Sequence, residues 1–349
     1  MVKFLHPGIT LLLLLMLWQS TWHASWADTS IPPSYHWGRG ISWPDADFNL
    51  GGYVNVSYQH PEKLANELKL DELSLFLTWS PHHRIRFFSE IEVDDWLSTR
   101  QSESFSHVLK AERLYVDLLA SETTTVRLGK FLTPIGRWNI IHAAPLIWTT
   151  TRPLVTDETL FSPHLNGIML TQRFQLNEHN LDVSIYSDHS ARLDIFDSST
   201  TGFGSAFGGR VNFELSETSQ IGLSYIDFNT EVSPNADRND LVGVDFLWKK
   251  DRYEVSAEAI YRHAGDSQGQ EQGFYLQGIA PLAGHVFAIG RYEYLNGTHH
   301  FITTDTHVGV AGLAWRPFVP LVFKAEYRFG AQNGAVAPSG FFTSISMFF

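Results

Sequence analysis

The chain has 349 residues, no cysteine, and a formal net charge of −12 from 25 Lys and Arg against 37 Asp and Glu. Without cysteine there is no disulfide framework, thiolate metal site or thiol nucleophile, and the acidic balance argues against a general nucleic-acid binder. Aromatic residues make up 14% of the chain, yet mean hydropathy is only −0.12. That composition suits a chain showing half its residues to lipid and half to water.

The first segment reads as an address. Lys3 gives a short positive region, Thr10 to Trp18 is almost wholly apolar, and Ser25-Trp26-Ala27 supplies small residues for a cleavage site after Ala27. This is the pattern of a secretory signal peptide over 1–27, because the apolar run is too short to span a bilayer as a helix. Residues 28–49, with Trp37 and Trp43, are expected to form a periplasmic N-terminal segment. No later stretch offers 18 consecutive apolar residues, so no helical span is expected.

From residue 50 the pattern has period two. Arg84, Arg86, Phe88, Glu90, Glu92 and Asp94 share one parity, while Ile85, Phe87, Ile91 and Val93 share the other. A strand puts these sets on opposite faces. Lys324, Glu326 and Arg328 oppose Phe323, Ala325, Tyr327 and Phe329 in the same way, and Arg210, Asn212 and Glu214 oppose Val211 and Phe213. Strands are predicted over 50–59, 70–80, 83–94, 109–119, 123–131, 166–175, 180–187, 206–215, 219–228, 240–249, 252–262, 272–282, 285–295, 305–316, 320–329 and 340–349. Most are about ten residues long, enough to cross a bilayer at a tilt. Val308 to Arg316 does not reveal which face meets lipid.

Connections alternate between tight turns, such as Lys250–Asp251, and longer loops, the longest running from Leu132 to Leu165. Aromatic residues gather near both strand ends: Trp79, Trp248, Trp315 and Phe349 toward the turns, Tyr58, Trp96, Tyr261, Tyr294 and Phe329 toward the loops. Tight turns on one side, long loops on the other, an even strand count and two aromatic girdles predict an all-β fold, a transmembrane antiparallel β-barrel of about 16 strands over 50–349. The strand Gly340 to Phe349 ends on phenylalanine, resembling the C-terminal sorting signal of bacterial outer-membrane proteins. The expected home is therefore a Gram-negative outer membrane, with contacts to its lipid and, through Phe349, to the barrel-assembly machinery.

A barrel of this size leaves an aqueous channel. Charges on its lipid face would each cost about 2–4 kcal/mol at the midplane, so the strand charges are expected to face the lumen. The candidates are Arg84, Arg86, Glu90, Glu92, Arg127, Arg173, Arg291, Glu293, Lys324, Glu326 and Arg328. Their mixed signs allow either a transverse field that steers solutes or simple cross-strand pairing. The long Leu132–Leu165 loop is rich in apolar residues and proline, which suits a loop folded inward against the wall. Arg137, His142, Arg152, Asp157 and Glu158 are then its candidate constriction charges, with Trp138 and Trp148 as anchors.

The run Val126-Arg-Leu-Gly-Lys-Phe-Leu-Thr-Pro-Ile-Gly136 enters that loop. It resembles the strand-then-loop motif of the phosphate-selective porin O and P family. The resemblance implies a trimeric channel for anions or small hydrophilic solutes with basic residues along the lumen. The chain departs from phosphate-selective members in being acidic and in having only Arg137 and Arg152 where a dense basic series is expected.

Two other readings stand beside the porin. A plugged or narrow barrel would carry a specific, even hydrophobic, solute, or act as a scaffold; the 22 residues from Asp28 to Asn49 are short for a plug. An outer-membrane hydrolase would need a nucleophile, and Ser187-Asp-His-Ser190 lacks the context of one. His82-His83 and His299-His300 are adjacent and would point to opposite faces of a strand. No catalytic residue, cofactor or metal is expected.

Overall fold

The computed structural model describes residues 31–100, 109–141, 143–156, 160–188, 202–230, 238–265, 270–299, 302–331 and 337–349. Two short strands come first, β1 (Ser34–His36) and β2 (Gly40–Trp43). Then follow β3 (Phe48–Pro61), β4 (Glu67–His82), β5 (Ile85–Ser98), β6 (Leu109–Leu119), β7 (Thr124–Leu132), β8 (His164–Leu176), β9 (His179–Asp188) and β10 (Phe203–Ser216). The rest are β11 (Ser219–Thr230), β12 (Asn239–Lys250), β13 (Tyr253–His263), β14 (Gln270–Ala283), β15 (Val286–His299), β16 (Ile302–Phe318), β17 (Leu321–Ala331) and β18 (Gly340–Phe348). Each strand from β3 onward pairs antiparallel with its neighbours, and β18 returns to β3 in the register Phe341↔His60 to Phe348↔Tyr53. The result is a closed barrel of sixteen strands, and closure satisfies every strand edge.

All sixteen predicted strands are present, most of them longer toward the loop side. β4 has 16 residues and β16 has 17. The strands continue as hairpins past the apolar band, where neither face needs to be greasy and the alternation fades. Two loops expected to be long shrink for this reason. The first falls between Pro61 and Glu67, and the seventh between His299 and Ile302. The segment before the barrel is also more ordered than its composition suggests. β1 and β2 form a hairpin, β2 pairs with the start of β3, and Trp37 packs on Phe318 with ring centroids 5.4 Å apart. This hairpin sits at the tight-turn end.

Alternation sorts the wall as expected. On β17, Val322, Lys324 and Glu326 are buried inside, while Phe329 is exposed outward. Trp79, Trp315 and Tyr253 are exposed near the turns, and Tyr58, Tyr261 and Phe329 near the loops. β16 turns its valines inward: Val308 and Val310 are buried, and Leu313 and Trp315 are exposed. The lipid face was illegible there because the interior is itself apolar. Val308 and Val310 pack in one cluster with Ile135, Leu154 and Phe161 of the long loop. Gly278 and Gly290 face outward with open space above them, whereas Gly222 faces inward against Arg210 and Asp245.

The last residue makes the final rung of the closing seam. Phe349 N–H donates to the Gly52 carbonyl at 2.9 Å, Gly52 N–H donates back at 3.2 Å, and the Phe349 ring lies where a Gly52 side chain would be. Gly52→Val is therefore expected to push out that ring and to crowd the Ser74 carbonyl of the next strand. The check is the fraction of barrel that stays compact and fast-migrating on an unheated SDS gel. A clear loss is expected, and an undiminished compact fraction would contradict this role for the seam.

Candidate functional site

The third loop leaves β7 at Leu132, crosses the interior, and returns to the wall at β8. Its carrier sequence explains the path. Pro134 and Gly136 turn the chain inward, Gly136 at a φ of +62° that favours glycine. A side chain at Gly136 would strike the Glu258 carboxylate, so the backbone comes close enough for Trp138 N–H to donate to Glu258 at 2.6 Å. Tyr275 donates to the same carboxylate at 2.9 Å.

Further along, Trp148 donates to Glu254 at 3.0 Å, and the Arg316 guanidinium lies 4.3 Å above the Trp148 ring. Arg316 also donates to the carbonyls of Pro145 and Ile147. These contacts lie at the tight-turn ends of β13 and β16, so the loop reaches deep. The amides of Thr150 and Thr151 donate to Glu326, each at 2.9 Å, and Leu154 N–H donates to Glu293 at 2.7 Å. Arg291 donates to the Thr149 hydroxyl and the Thr151 carbonyl, and Lys324 to the Ala144 carbonyl. A loop running through the interior has no ladder partner for its backbone, and buried charges on β13, β15 and β17 take that part.

The sequence candidates therefore divide. Arg291, Glu293, Lys324 and Glu326 face inward, but the loop backbone occupies their polar atoms, and each is under 5% exposed. Arg328 donates to the Pro338 carbonyl and lies over Phe342. Glu92 accepts from Tyr53 and Ser74. The opposite wall is different. Arg127 forms a two-pronged ion pair with Asp117, as Arg173 does with Asp182. Glu90 pairs with Arg113 at 2.5 Å. Arg84 and Arg86 are exposed, Arg84 in the β4–β5 turn and Arg86 beside Asp117 in the register. On the loop, Arg137 donates to the neutral amide of Gln220 at 3.1 Å, and Arg152 is exposed next to Pro153. His142, Asp157 and Glu158 lie outside the described residues, as do His189 and Ser190.

Between the loop and this wall lies a cavity of about 290 Å³. Arg113, Arg127, Arg137 and Arg210 converge on it. Arg113 is not among the lumen charges expected from sequence, although Arg113, Tyr115 and Asp117 alternate cleanly with Leu114, Val116 and Leu118. The alternation in sequence marks Arg210 as an inward charge without distinguishing it as a site residue. It pairs with buried Asp245 at 2.7 Å. Arginine and aromatic rings interleave above the cavity: Arg113 lies 4.7 Å from the Phe88 ring centroid, Arg127 lies 3.8 Å from Tyr115, and those two rings stack at 5.2 Å. The rings hold the guanidiniums in place without neutralising them. His82 and His83 do not diverge as strand neighbours would; at the start of a turn their rings come to 4.0 Å. Among the described residues, no group of three His, Asp or Glu side chains has the arrangement of a metal site.

No family model matches the sequence, and no curated protein matches it either. Solved structures do match in fold. The OmpF of Salmonella typhi, solved with daunomycin, aligns over 88% of this chain and 99% of its own, with a TM-score of 0.64 at 10% identity. The chain has the fold of the outer-membrane porins. An anion-selective porin from Comamonas acidovorans aligns over 87% of this chain and all of its own, with a TM-score of 0.60 at 15% identity. OmpT of Vibrio cholerae, in a trimer form, aligns over 86% and 99%, with a TM-score of 0.57 at 8% identity. At these identities the shared property is the porin fold.

Proposed function

We propose that this chain is a porin of a Gram-negative outer membrane, passing small hydrophilic solutes by diffusion with a preference for anions. The observation that carries the reading is the asymmetry of the lumen. The third loop fills the side of β13–β17 and uses up the charges there, and the cavity left along β6–β10 is where Arg113, Arg127, Arg137 and Arg210 converge. A narrow, low-dielectric passage with one sign of charge in excess concentrates counter-ions. The anion selectivity of the Comamonas porin agrees with this direction. The pairing of most of these arginines to carboxylates makes the preference moderate, and it does not favour phosphate over other anions.

The signal-like leader and the Phe349 seam support export and barrel insertion with the assembly machinery, and 28–49 then lies at the periplasmic mouth. The outward hollow lined by Gly278, Gly290 and Gly309 supports the contact of a second barrel in a homotrimer. The loop's apolar cluster favours one further reading, a narrow barrel selective for a particular solute. Swelling of proteoliposomes in isotonic solutes tests the choice. Swelling in arabinose and glycine is expected. No swelling with demonstrably folded protein would overturn the diffusion channel and leave the narrow transporter.

A further inference from the structure

The cavity beside the third loop has two kinds of wall. Three guanidiniums come from the barrel wall, Arg113, Arg127 and Arg210, and a fourth, Arg137, comes from the loop; the loop also brings Ile140 and Ile141, β8 brings Met169, and the lining carboxylate Asp182 is paired with Arg173. Ile140 and Ile141 are 40% and 36% exposed although they lie inside the barrel. Exposed aliphatic surface in a lumen has no lipid to meet. A site for a bare hydrated ion has no use for it, since apolar surface beside such an ion only costs hydration. The polar half is equally specific. Arg137 faces the cavity with a neutral amide as its hydrogen-bond partner, whereas Arg113, Arg127 and Arg210 each hold a carboxylate. One net positive centre therefore lies next to an aliphatic floor. At about 290 Å³ the space is at the small end of ligand pockets.

We infer that this cavity is a binding subsite for small amphipathic organic monoanions, a carboxylate held by Arg137 and its neighbours with a compact hydrocarbon group resting on Ile140 and Ile141. The inference rests on the channel reading in naming what dwells in the passage. It differs from that reading in requiring discrimination by the apolar half. Acetate and benzoate carry the same charge and the same carboxylate, so only the second can use the isoleucine floor.

The test is block of chloride current through the reconstituted protein by added sodium benzoate, with sodium acetate and sodium phosphate as comparisons. Benzoate is expected to block at least tenfold more tightly than acetate, the size of effect that a modest apolar group produces in a matching pocket. In Ile140→Ser/Ile141→Ser that preference is expected to fall about tenfold. Both side chains are partly exposed, so the double variant should fold. Arg137→Gln is expected to weaken benzoate and acetate together. Equal block by acetate and benzoate, or an unchanged preference in the isoleucine variant, would overturn the subsite while leaving the channel intact. If the folded barrel passes no current, the channel reading falls, and calorimetric titration of the detergent-folded protein with benzoate decides the subsite. Heat that is lost in the isoleucine variant supports it; no heat overturns it.

Discussion

Replacing Glu326 with alanine is expected to release the middle of the third loop into the lumen. Glu326 accepts from the Thr150 amide, the Thr151 amide and the Thr151 hydroxyl. It is itself 2% exposed. Hydrogen bonds to a buried charge contribute about 1.5–3 kcal/mol each, and loss of one partner from such a set costs about 3–5 kcal/mol. A loss of about 3 kcal/mol is roughly a hundred-fold change in the balance between docked and undocked loop. Neighbouring Arg291 and Lys324 would keep their bonds to Thr149, Thr151 and Ala144, so partial rather than complete release is the expected state. Single-channel recordings should show an added, larger conductance level with frequent transitions. Limited proteolysis should cut the folded barrel within 144–153. A variant with the parent's single level and the parent's resistance would show that Glu326 does not hold the loop.

Charge reversal at Arg137 is the second large expected effect. Arg113, Arg127, Arg173 and Arg210 each have a carboxylate partner, so their fields largely cancel. Arg137 bonds an amide and keeps its full field. An ion passing at about 8 Å feels about 2 kcal/mol from one charge at an effective dielectric near 20, before salt screening reduces it. Arg137→Glu is therefore expected to lower the chloride-to-potassium permeability ratio by about tenfold or more in dilute salt. The effect should shrink as ionic strength rises. Arg152→Ala, outside the cavity lining, is expected to change the ratio less. Equal effects from both positions would move the constriction away from the cavity.

Much of the barrel was legible in the sequence because lipid and water impose opposite demands on alternate residues. The strand Ile85–Ser98 shows this directly: Arg86, Glu90 and Glu92 share one parity, and Ile85 and Ile91 are exposed on the other. Legibility failed where that demand is absent. β15 and β16 continue past the apolar band to His299 and from Ile302, paired as far as His299↔Ile302. The Ser34–Trp43 hairpin pairs at the rim with no periodic signal long enough to read. On β16, valine on the inner face erased the contrast, because that face packs on loop residues that lie between 147 positions (Phe161 to Val308) and 175 positions (Ile135 to Val310) away in sequence.

The site was less legible than the barrel. Inward-facing charge was readable from parity, but its use was not. Lys324, Glu326, Arg291 and Glu293 look alike in sequence to Arg86 and Arg127 as lumen charges. Only the third loop's path separates those that grip backbone from those that line the passage. Arg113 could have been found by continuing the alternation through β6. A register shift between Glu90 and Ile91 brings Glu112 inside as well, and no periodicity announces a bulge.

The central claim is an open passage in which the arginine-lined side sets the ionic preference. The most direct measurement is the zero-current potential of single channels in a planar bilayer across a potassium chloride gradient. The account predicts stable conductance steps and a potential of the sign set by chloride moving more readily than potassium. A potential of the opposite sign would put control with the carboxylates, and silence from a folded barrel would contradict the open passage itself.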